Sequence, residues 1–229
     1  RGVSSCAPCD APFFKDRPVI VVGGGDAAME EALTLTKFAS GVTIVHRRGE
    51  FRASKIMQER VLTDAKIKVV WNTEVVEILG ETKVAGVRLK SQILNFKFQI
   101  NDINSKFSNS KIISQTENEV TWEMAIEGVF VAIGHVPATK IFEGKLELDE
   151  KGYIRKIQDS RFKVQNEKGE VIGNKYPSMS NVEGVFISGD VHDFNYRQAI
   201  TAAGYGCMAA MDASRWLEEM GVGKGAAIR

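Results

Sequence analysis

The stretch "PVIVVGGGDAAMEEAL", residues 18–33, joins a short apolar run to a glycine cluster and then to a helical pattern. Residues 18–22 are β-branched and apolar, which is typical of a buried parallel strand. The glycines end that run. Over residues 26–39 apolar residues recur near helical spacing, and the acidic Asp26 suits the electropositive first turn of a helix. We therefore predict a strand, a tight turn and a helix, the opening of a βαβ unit.

The glycine cluster has the spacing of a dinucleotide-binding turn. Gly23, Gly25 and Ala28 form G-x-G-x-x-A. The first glycine permits the tight turn, the second lets the backbone approach a pyrophosphate, and the alanine lets helix and strand pack closely. A helix N-terminus presents N–H groups to an anion. A glycine-rich match alone is weak, but the predicted strand before it and the helix after it favour nucleotide binding over a merely structural turn.

Basic residues follow the second predicted strand, in "GVTIVHRRGEFR" at 41–52. An NAD-binding protein places an acidic residue here, against the ribose 2′-hydroxyl. This chain instead has Arg47, Arg48 and Arg52, whose guanidinium groups suit a 2′-phosphate. The pattern favours NADP over NAD. The alternative is a solvated basic loop balanced by Glu50.

Two cysteines, Cys6 and Cys9, stand two residues apart just ahead of the glycine turn. This spacing is compatible with half of a zinc site, a structural disulfide or a redox dithiol. Zinc usually takes four ligands, and the remaining candidates are Cys207 and three scattered histidines, so we predict no metal site. Asp10 is either a turn residue or the proton donor that thiol–disulfide exchange needs.

A nicotinamide and a disulfide do not normally react directly. A nicotinamide delivers a hydride, whereas a flavin accepts hydrides and reduces disulfides. A pair of sulfurs beside an NADPH turn therefore predicts a third component, a flavin.

The bulk composition excludes several classes of function. The chain has 229 residues and a net charge of +1, so its charge does not indicate nucleic acid or a membrane surface as a partner. No apolar run approaches the roughly 20 residues of a membrane-spanning helix. Three cysteines are too few for a disulfide-rich secreted scaffold, and the CxxC fits a reducing compartment, the cytoplasm or an organelle. Because the first residue is arginine, we expect a fragment of a longer protein.

The rest of the pattern predicts an α/β organisation of two domains, with a boundary at the Gly-His-Pro turn near residue 136. The predicted elements are a helix at 54–65, two or three strands in hairpin-like order at 67–90, an enlarged hairpin or loop at 91–122, a strand at 127–137, a polar loop and hairpin at 153–181, a buried strand at 184–190, a long helix at 197–220 and a disordered tail at 221–229.

Five segments, taken together, resemble the low-molecular-weight NADPH-dependent thioredoxin reductases, in order from Gly2 to about Leu217. They are "CAPCD", "VVGGGDAAMEEAL", "HRRGEFRASKIMQERV", "FVAIGH" and "ISGDVHDFNYRQAITAAGYGCMAA". That family is homodimeric and carries two Rossmann-like domains, with the NADPH domain inserted into the FAD domain. The resemblance implies an NADPH domain carrying the CxxC at 1–136 and the C-terminal part of an FAD domain at 137–229.

The resemblance also implies roles for individual residues. Cys9 faces the flavin, Cys6 attacks the thioredoxin disulfide, and Asp10 is the acid. The implied cofactor contacts are Gly23, Gly24, Gly25, Asp26, Ala27, His46, Arg47, Arg48, Arg52, Ile133, Gly134 and His135, with Gly189 and Asp190 near the FAD ribityl and pyrophosphate groups and Arg197, Gln198 and Ala199 at the isoalloxazine edge.

One departure from the family pattern keeps alternatives open. Family members begin with a separate G-x-G-x-x-G strand–turn–helix for the ADP half of FAD, and these 229 residues contain none. The chain is therefore expected to lack the N-terminal part of the FAD domain, and one alternative is an NADP-binding fragment without turnover. A second alternative, the flavoprotein subunit of a peroxide-reducing system, commonly prefers NADH. The pair Arg47 and Arg48 argues against it.

Overall fold

The structure is a computed structural model that describes residues 1–93, 110–156, 163–165, 167–169 and 171–222. The chain divides into two compact units, Arg1–Gly134 and His135–Arg229. The assignment of one cofactor to each domain stays a prediction. Within the described ranges, no helix has the length and apolar character needed to cross a membrane.

The first unit contains nine strands and three helices among its described residues. The strands are β1 (Val3–Ser4), β2 (Pro18–Val22), β3 (Gly41–Val45), β4 (Ile67–Val70), β5 (Thr73–Leu79), β6 (Gly86–Gln92), β7 (Ser110–Gln115), β8 (Glu119–Met124) and β9 (Gly128–Val131). The helices are α1 (Ala7–Asp10), α2 (Asp26–Leu35) and α3 (Lys55–Leu62). The predicted α/β class is confirmed.

Five of these strands form a parallel sheet in the order β1-β9-β2-β3-β4. The predicted first strand is β2, at the centre of the sheet. Val19 and Val21 point into a core shared with α2, whereas Ile20 points into a second core that contains Leu89 and Trp122. Because both faces of β2 are covered, its sequence is continuously apolar rather than alternating.

Helix α2 is shorter than its pattern predicts. The prediction extended the helix to residue 39, but α2 ends at Leu35. Its buried stripe is Ala28, Met29, Ala32 and Leu35, which together form one face at helical spacing. Phe38 follows in a turn that bonds back to the carbonyl of Leu35, so its ring packs on the same core without belonging to the helix.

The other four strands form an antiparallel sheet in the order β5-β6-β8-β7. The hairpin-like order predicted for 67–90 is confirmed by β5 and β6. The stretch at 91–122 is more regular than predicted, because its described part contains β7 and most of β8. The indole Nε1 of Trp122 on β8 donates to Ser91 Oγ at 2.9 Å in the core. Residues 94–109 lie outside the described ranges.

In the second unit, β10 (Lys163–Gln165) and β11 (Val171–Asn174) form a small hairpin, as predicted, and the long helix is confirmed as α4 (Ala199–Glu219). The strand predicted at 184–190 is wrong. Among the described residues Phe186 forms a single isolated bridge with Met179, and Gly189–Val191 is one turn of 3-10 helix. A buried strand needs neighbours on both edges, which the described part of this unit does not offer. Of the predicted tail at 221–229, residues 223–229 lie outside the described ranges.

Candidate functional site

The turn between β2 and α2 can accommodate only glycine at its first two positions. A Cβ atom on Gly23 would lie 2.3 Å from the carbonyl oxygen of Ala132 and 2.9 Å from the Cβ of Ala28. A Cβ on Gly24 would lie 2.3 Å from Cε1 of His46. Ala28, the last residue of the G-x-G-x-x-A pattern, therefore lies close to the turn at Gly23.

Gly25 differs from the other two glycines because the space beside it is open. A Cβ placed there would find no atom within 4 Å. Gly25 is the N-cap of α2, so the N–H groups of Asp26 and Ala27 at its start have no carbonyl partner within the helix. The side chains of both residues are exposed. The turn thus leaves room for an anion in front of a helix N-terminus, as a pyrophosphate requires.

The loop after β3 is bonded to the glycine turn at two points. The backbone N–H groups of Arg52 and Ala53 donate to the carbonyl of Gly24, at 2.7 and 3.2 Å. The N–H and hydroxyl of Ser54 donate to Oδ1 of Asp26, at 2.9 and 2.8 Å, and these bonds hold the pKa of Asp26 below its usual value. The basic loop and the glycine turn therefore form one connected structure.

His46 fills the space between that loop and the glycine turn. Its ring is buried, packs against Phe51 and Trp71, and has Nε2 3.0 Å from the carbonyl oxygen of Glu50. Burial is the main cause that lowers the pKa of His46, and the neighbouring arginines lower it further. His46 is thus a neutral imidazole that supports Gly24 from behind.

The three arginines of the loop are exposed at the carboxyl end of β3. Arg47 and Arg48 come two and three residues after the end of the strand, and Arg52 lies where the loop returns to the glycine turn. Among the described residues, no carboxylate lies within ion-pair distance of these guanidinium groups. The predicted balance by Glu50 is therefore not realised as an ion pair.

The two cysteines form a disulfide, with their Cα atoms 5.3 Å apart. Cys6 is the N-cap of α1, and its carbonyl accepts the N–H groups of Cys9 and Asp10 at 3.2 and 3.1 Å. Ser4 Oγ accepts the N–H of Cys6 at 3.0 Å. The sulfurs are bonded to each other, so neither is a zinc thiolate. In the part of the chain that the structure describes, no three His, Cys, Asp or Glu side chains converge as a metal site would require.

A carboxylate on α2 holds the disulfide turn. Oε2 of Glu31 accepts the N–H of Ala7, the residue after Cys6, at 2.6 Å. Glu31 is half-buried, and this burial is the main cause that raises the pKa of its carboxyl, to which Glu30 and Asp10 add by repulsion. One helix therefore starts at the glycine turn and, five residues later, anchors the cysteine pair.

Asp10, the predicted proton donor, ends α1 and is half-buried. It lines a surface pocket of about 470 Å³ together with Ser4, Phe13, Phe14 and Arg17, among others. A proton donor beside the cysteine pair needs such access to solvent or substrate. Its role stays a prediction.

The segment that follows β9 is exposed. Ile133 has 67% of its surface accessible, and Gly134 has a φ of +104° with open space where a Cβ would lie. In the second unit, the Nη1 atom of Arg197 lies 2.7 Å from Nδ1 of His135. The structure thus brings together two predicted cofactor residues that are 62 positions apart in the sequence.

The remaining predicted cofactor residues surround the start of α4. Gly189 has a φ of +72° with open space at its Cβ position, and exposed Asp190 follows it in the 3-10 turn. The Nδ1–H of His192 donates to the carbonyl oxygen of Gly189 at 2.8 Å, while its Nε2 is buried without a partner among the described residues. Gln198 is the N-cap of α4 in a capping box, and Ala199 is the first helical residue.

Comparisons with known proteins agree with this geometry. A family model described as pyridine nucleotide-disulphide oxidoreductase matches residues 1–206. The chain belongs to this family. Its relatives include the thioredoxin reductase of Streptomyces clavuligerus, 45% identical over 217 residues, which are 95% of this chain and 55% of the relative. Thioredoxin reductase 2 of Arabidopsis thaliana is 43% identical over an alignment that covers 98% of this chain and 49% of the relative.

A solved thioredoxin reductase from Streptococcus pyogenes is similar in structure, with a TM-score of 0.69 and 34% identity over 96% of this chain and 58% of that one. The resemblance drawn from the sequence is confirmed. The chain spans about half the length of the curated relatives it matches.

Three residues of the candidate site were not predicted from the sequence. Ser54 bonds Asp26, Glu31 bonds the cysteine turn, and Trp71 covers His46. The serine directly before the third helix and the second glutamate of "EEA" carry no motif that would separate them from ordinary surface residues. Their partners are distant in sequence, so only the fold identifies them.

Proposed function

We propose that this chain is the pyridine-nucleotide and disulfide part of an NADPH-dependent thioredoxin-disulfide reductase. The observation that carries the proposal is the double attachment of α2. Its N-terminus forms the open turn at Gly25, and its Glu31 holds the turn that contains the Cys6–Cys9 disulfide. The names of the relatives support thioredoxin as the partner.

The nucleotide is NADPH in this proposal. Its pyrophosphate occupies the space in front of Gly25, where the first-turn N–H groups of α2 serve as donors. The 2′-phosphate is recognised by Arg47, Arg48 and Arg52, whose exposed guanidinium groups have no carboxylate partner among the described residues. His46 helps to form this site, since its neutral ring packs against Gly24.

The second cofactor is FAD, and residues of the second unit fit it. The space beside Gly189 is open, and the Nε2 of His192 is a buried polar atom without a partner in the described part of the chain. Asp190, Arg197 and Ala199 would hold the cofactor with them, and the N-terminus of α4 would favour negative charge. A bound flavin supplies the chemistry that turns a nicotinamide hydride into reduction of a disulfide.

The cysteine pair passes two electrons to the substrate. In the reduced chain, the Cys6 thiolate attacks one sulfur of the thioredoxin disulfide and displaces the other as a thiolate, which Asp10 protonates. The Cys9 thiol then attacks the Cys6 sulfur of the mixed disulfide, and its proton passes to the second thioredoxin sulfur as that sulfur leaves. This releases dithiol thioredoxin and restores the Cys6–Cys9 bond, so two electrons and two protons move to the substrate.

The proposal includes a setting and an assembly. The CxxC fits a reducing compartment, the cytoplasm or an organelle. The full-length protein is a homodimer in this proposal, in agreement with the family pattern, and neither nucleic acid nor a membrane is a partner.

Calorimetric titration of the purified chain with NADPH and NADH tests the nucleotide half of the proposal. We expect NADPH to bind at least tenfold more tightly, as an order of magnitude for one charge-assisted phosphate site. Equal affinity for both nucleotides would contradict the assignment of the arginines. A spectrum with flavin absorbance, together with NADPH-dependent reduction of a disulfide substrate, tests the second half.

These 229 residues do not contain the G-x-G-x-x-G motif that holds the ADP half of FAD in the family pattern. This observation favours a second candidate function, an NADP-binding chain without turnover. Colourless protein that binds NADPH but leaves a disulfide substrate oxidised, even with added FAD, would support this candidate.

A further inference from the structure

Glu31 is a half-buried carboxylate that the proposed chemistry does not use. It projects from the second turn of α2, and Oε2 accepts a 2.6 Å hydrogen bond from the N–H of Ala7. Ala7 is fully buried and directly follows Cys6. Burying a carboxylate is costly unless the group is bonded, so this carboxylate is held in place by the cysteine turn.

The bond engages the backbone N–H that directly follows Cys6. A backbone N–H close to a cysteine stabilises its thiolate and lowers the thiol pKa, whereas a nearby negative charge raises it. Glu31 has two effects, because it engages the Ala7 N–H and adds negative charge. Both effects raise the thiol pKa. The other acids that act on Glu31 are Asp10 on α1 and Glu30 on α2.

We propose that Glu31 is a positioning residue for the Cys6–Cys9 pair. By engaging the Ala7 N–H, Glu31 keeps the thiolates unstable and the pair strongly reducing. This inference deepens the proposed function. It rests on one part of that function, namely that the Cys6–Cys9 pair cycles between disulfide and dithiol. Removing the carboxylate stabilises the thiolate form and makes the pair easier to reduce.

Two measurements on the chain of 229 residues test this role. The first is the equilibrium in which the disulfide and two glutathiones give the dithiol and glutathione disulfide, followed by alkylation and mass spectrometry. The second is the pH dependence of the alkylation rate after chemical reduction, which reports the thiol pKa. The variants are Glu31→Ala, Glu31→Gln and the control Glu30→Gln, which removes the same charge from the exposed neighbour.

We expect Glu31→Ala to shift the glutathione equilibrium toward the dithiol by on the order of threefold to tenfold, with a lowered thiol pKa. Glu31→Gln should fall between this variant and the wild type, because its amide oxygen still accepts the Ala7 N–H without a charge. Glu30→Gln should match the wild type. If Glu31→Ala fails to fold by circular dichroism, the Glu31→Gln comparison decides.

The inference would be overturned if both Glu31 variants had the glutathione equilibrium and the alkylation pH profile of the wild type. A shift of the glutathione equilibrium in Glu30→Gln as large as that in Glu31→Ala would also overturn it. Neither measurement uses NADPH, so failure of nucleotide binding would count against the proposed function alone. A pair that no glutathione ratio reduces would overturn both.

Discussion

Alanine at two adjacent glycines should separate the structural role of the turn from its binding role. In Gly24→Ala, the new Cβ would lie 2.3, 2.4 and 2.6 Å from three atoms of the His46 ring. That ring is buried between Phe51 and Trp71, so it has little freedom to move away. Overpacking of this kind typically costs about 1–3 kcal/mol of stability.

Gly25→Ala is the matched control for this substitution. Its Cβ meets no atom within 4 Å, and the backbone at φ −99° and ψ 179° suits alanine. The weaker N-cap of alanine and the reduced entropy of the unfolded chain oppose each other, so the net change in stability should stay within about 0.5 kcal/mol. The methyl group, however, occupies the space where the pyrophosphate approaches.

Urea unfolding and NADPH titration of both variants make the comparison. We expect Gly24→Ala to lose stability, and Gly25→Ala to remain stable while its NADPH affinity falls by on the order of tenfold or more. A Gly24→Ala chain as stable as the wild type would refute the packing argument. A Gly25→Ala chain with unchanged NADPH affinity would refute the placement of the pyrophosphate.

Three further predictions concern charge, redox chemistry and pH. Replacing Arg47 and Arg48 with alanine should weaken NADPH on the order of tenfold to hundredfold in titration and leave NADH nearly unchanged, and an equal loss for both nucleotides would show that the pair does not bind the phosphate. Cys6→Ser or Cys9→Ser should abolish disulfide reduction by the full-length protein and preserve NADPH binding; unchanged turnover would contradict the assigned roles. The pKa of His46 is lowered in the folded chain, so as pH falls His46 is protonated in the unfolded chain before it is protonated in the folded chain. The free energy of unfolding should therefore fall as pH drops below about 6.5. Urea unfolding of His46→Gln between pH 7.5 and 5 should show a smaller decline, and an identical decline would exclude His46 as its source.

The sequence predicted the parts of this fold whose signal is local. The run at 18–22 became β2, and the glycines that follow occupy a turn with no space for side chains at its first two positions. Local apolar pattern and turn chemistry were sufficient there, because a buried central strand is continuously apolar. The long helix α4 was likewise predictable from its spacing of small and apolar residues.

Other features depend on partners that are remote in the chain. Ile112 and Trp122 belong to strands that pair with each other, although the surrounding polar residues resemble a loop. In the described part of the chain, the apolar run near Phe186 forms only a bridge, since apolar composition alone does not provide neighbouring strands. Glu31 looks like an ordinary surface residue of an amphipathic helix, and only its contact with the cysteine turn distinguishes it.

In the proposed function, electrons from NADPH bound at the glycine turn reach the Cys6–Cys9 disulfide. Anaerobic addition of NADPH to the chain with FAD, followed by alkylation and mass spectrometry, tests it most directly. We expect two newly alkylated thiols, Cys6 and Cys9, for each NADPH oxidised. NADPH that is oxidised in the presence of FAD while both cysteines stay in their disulfide would contradict it.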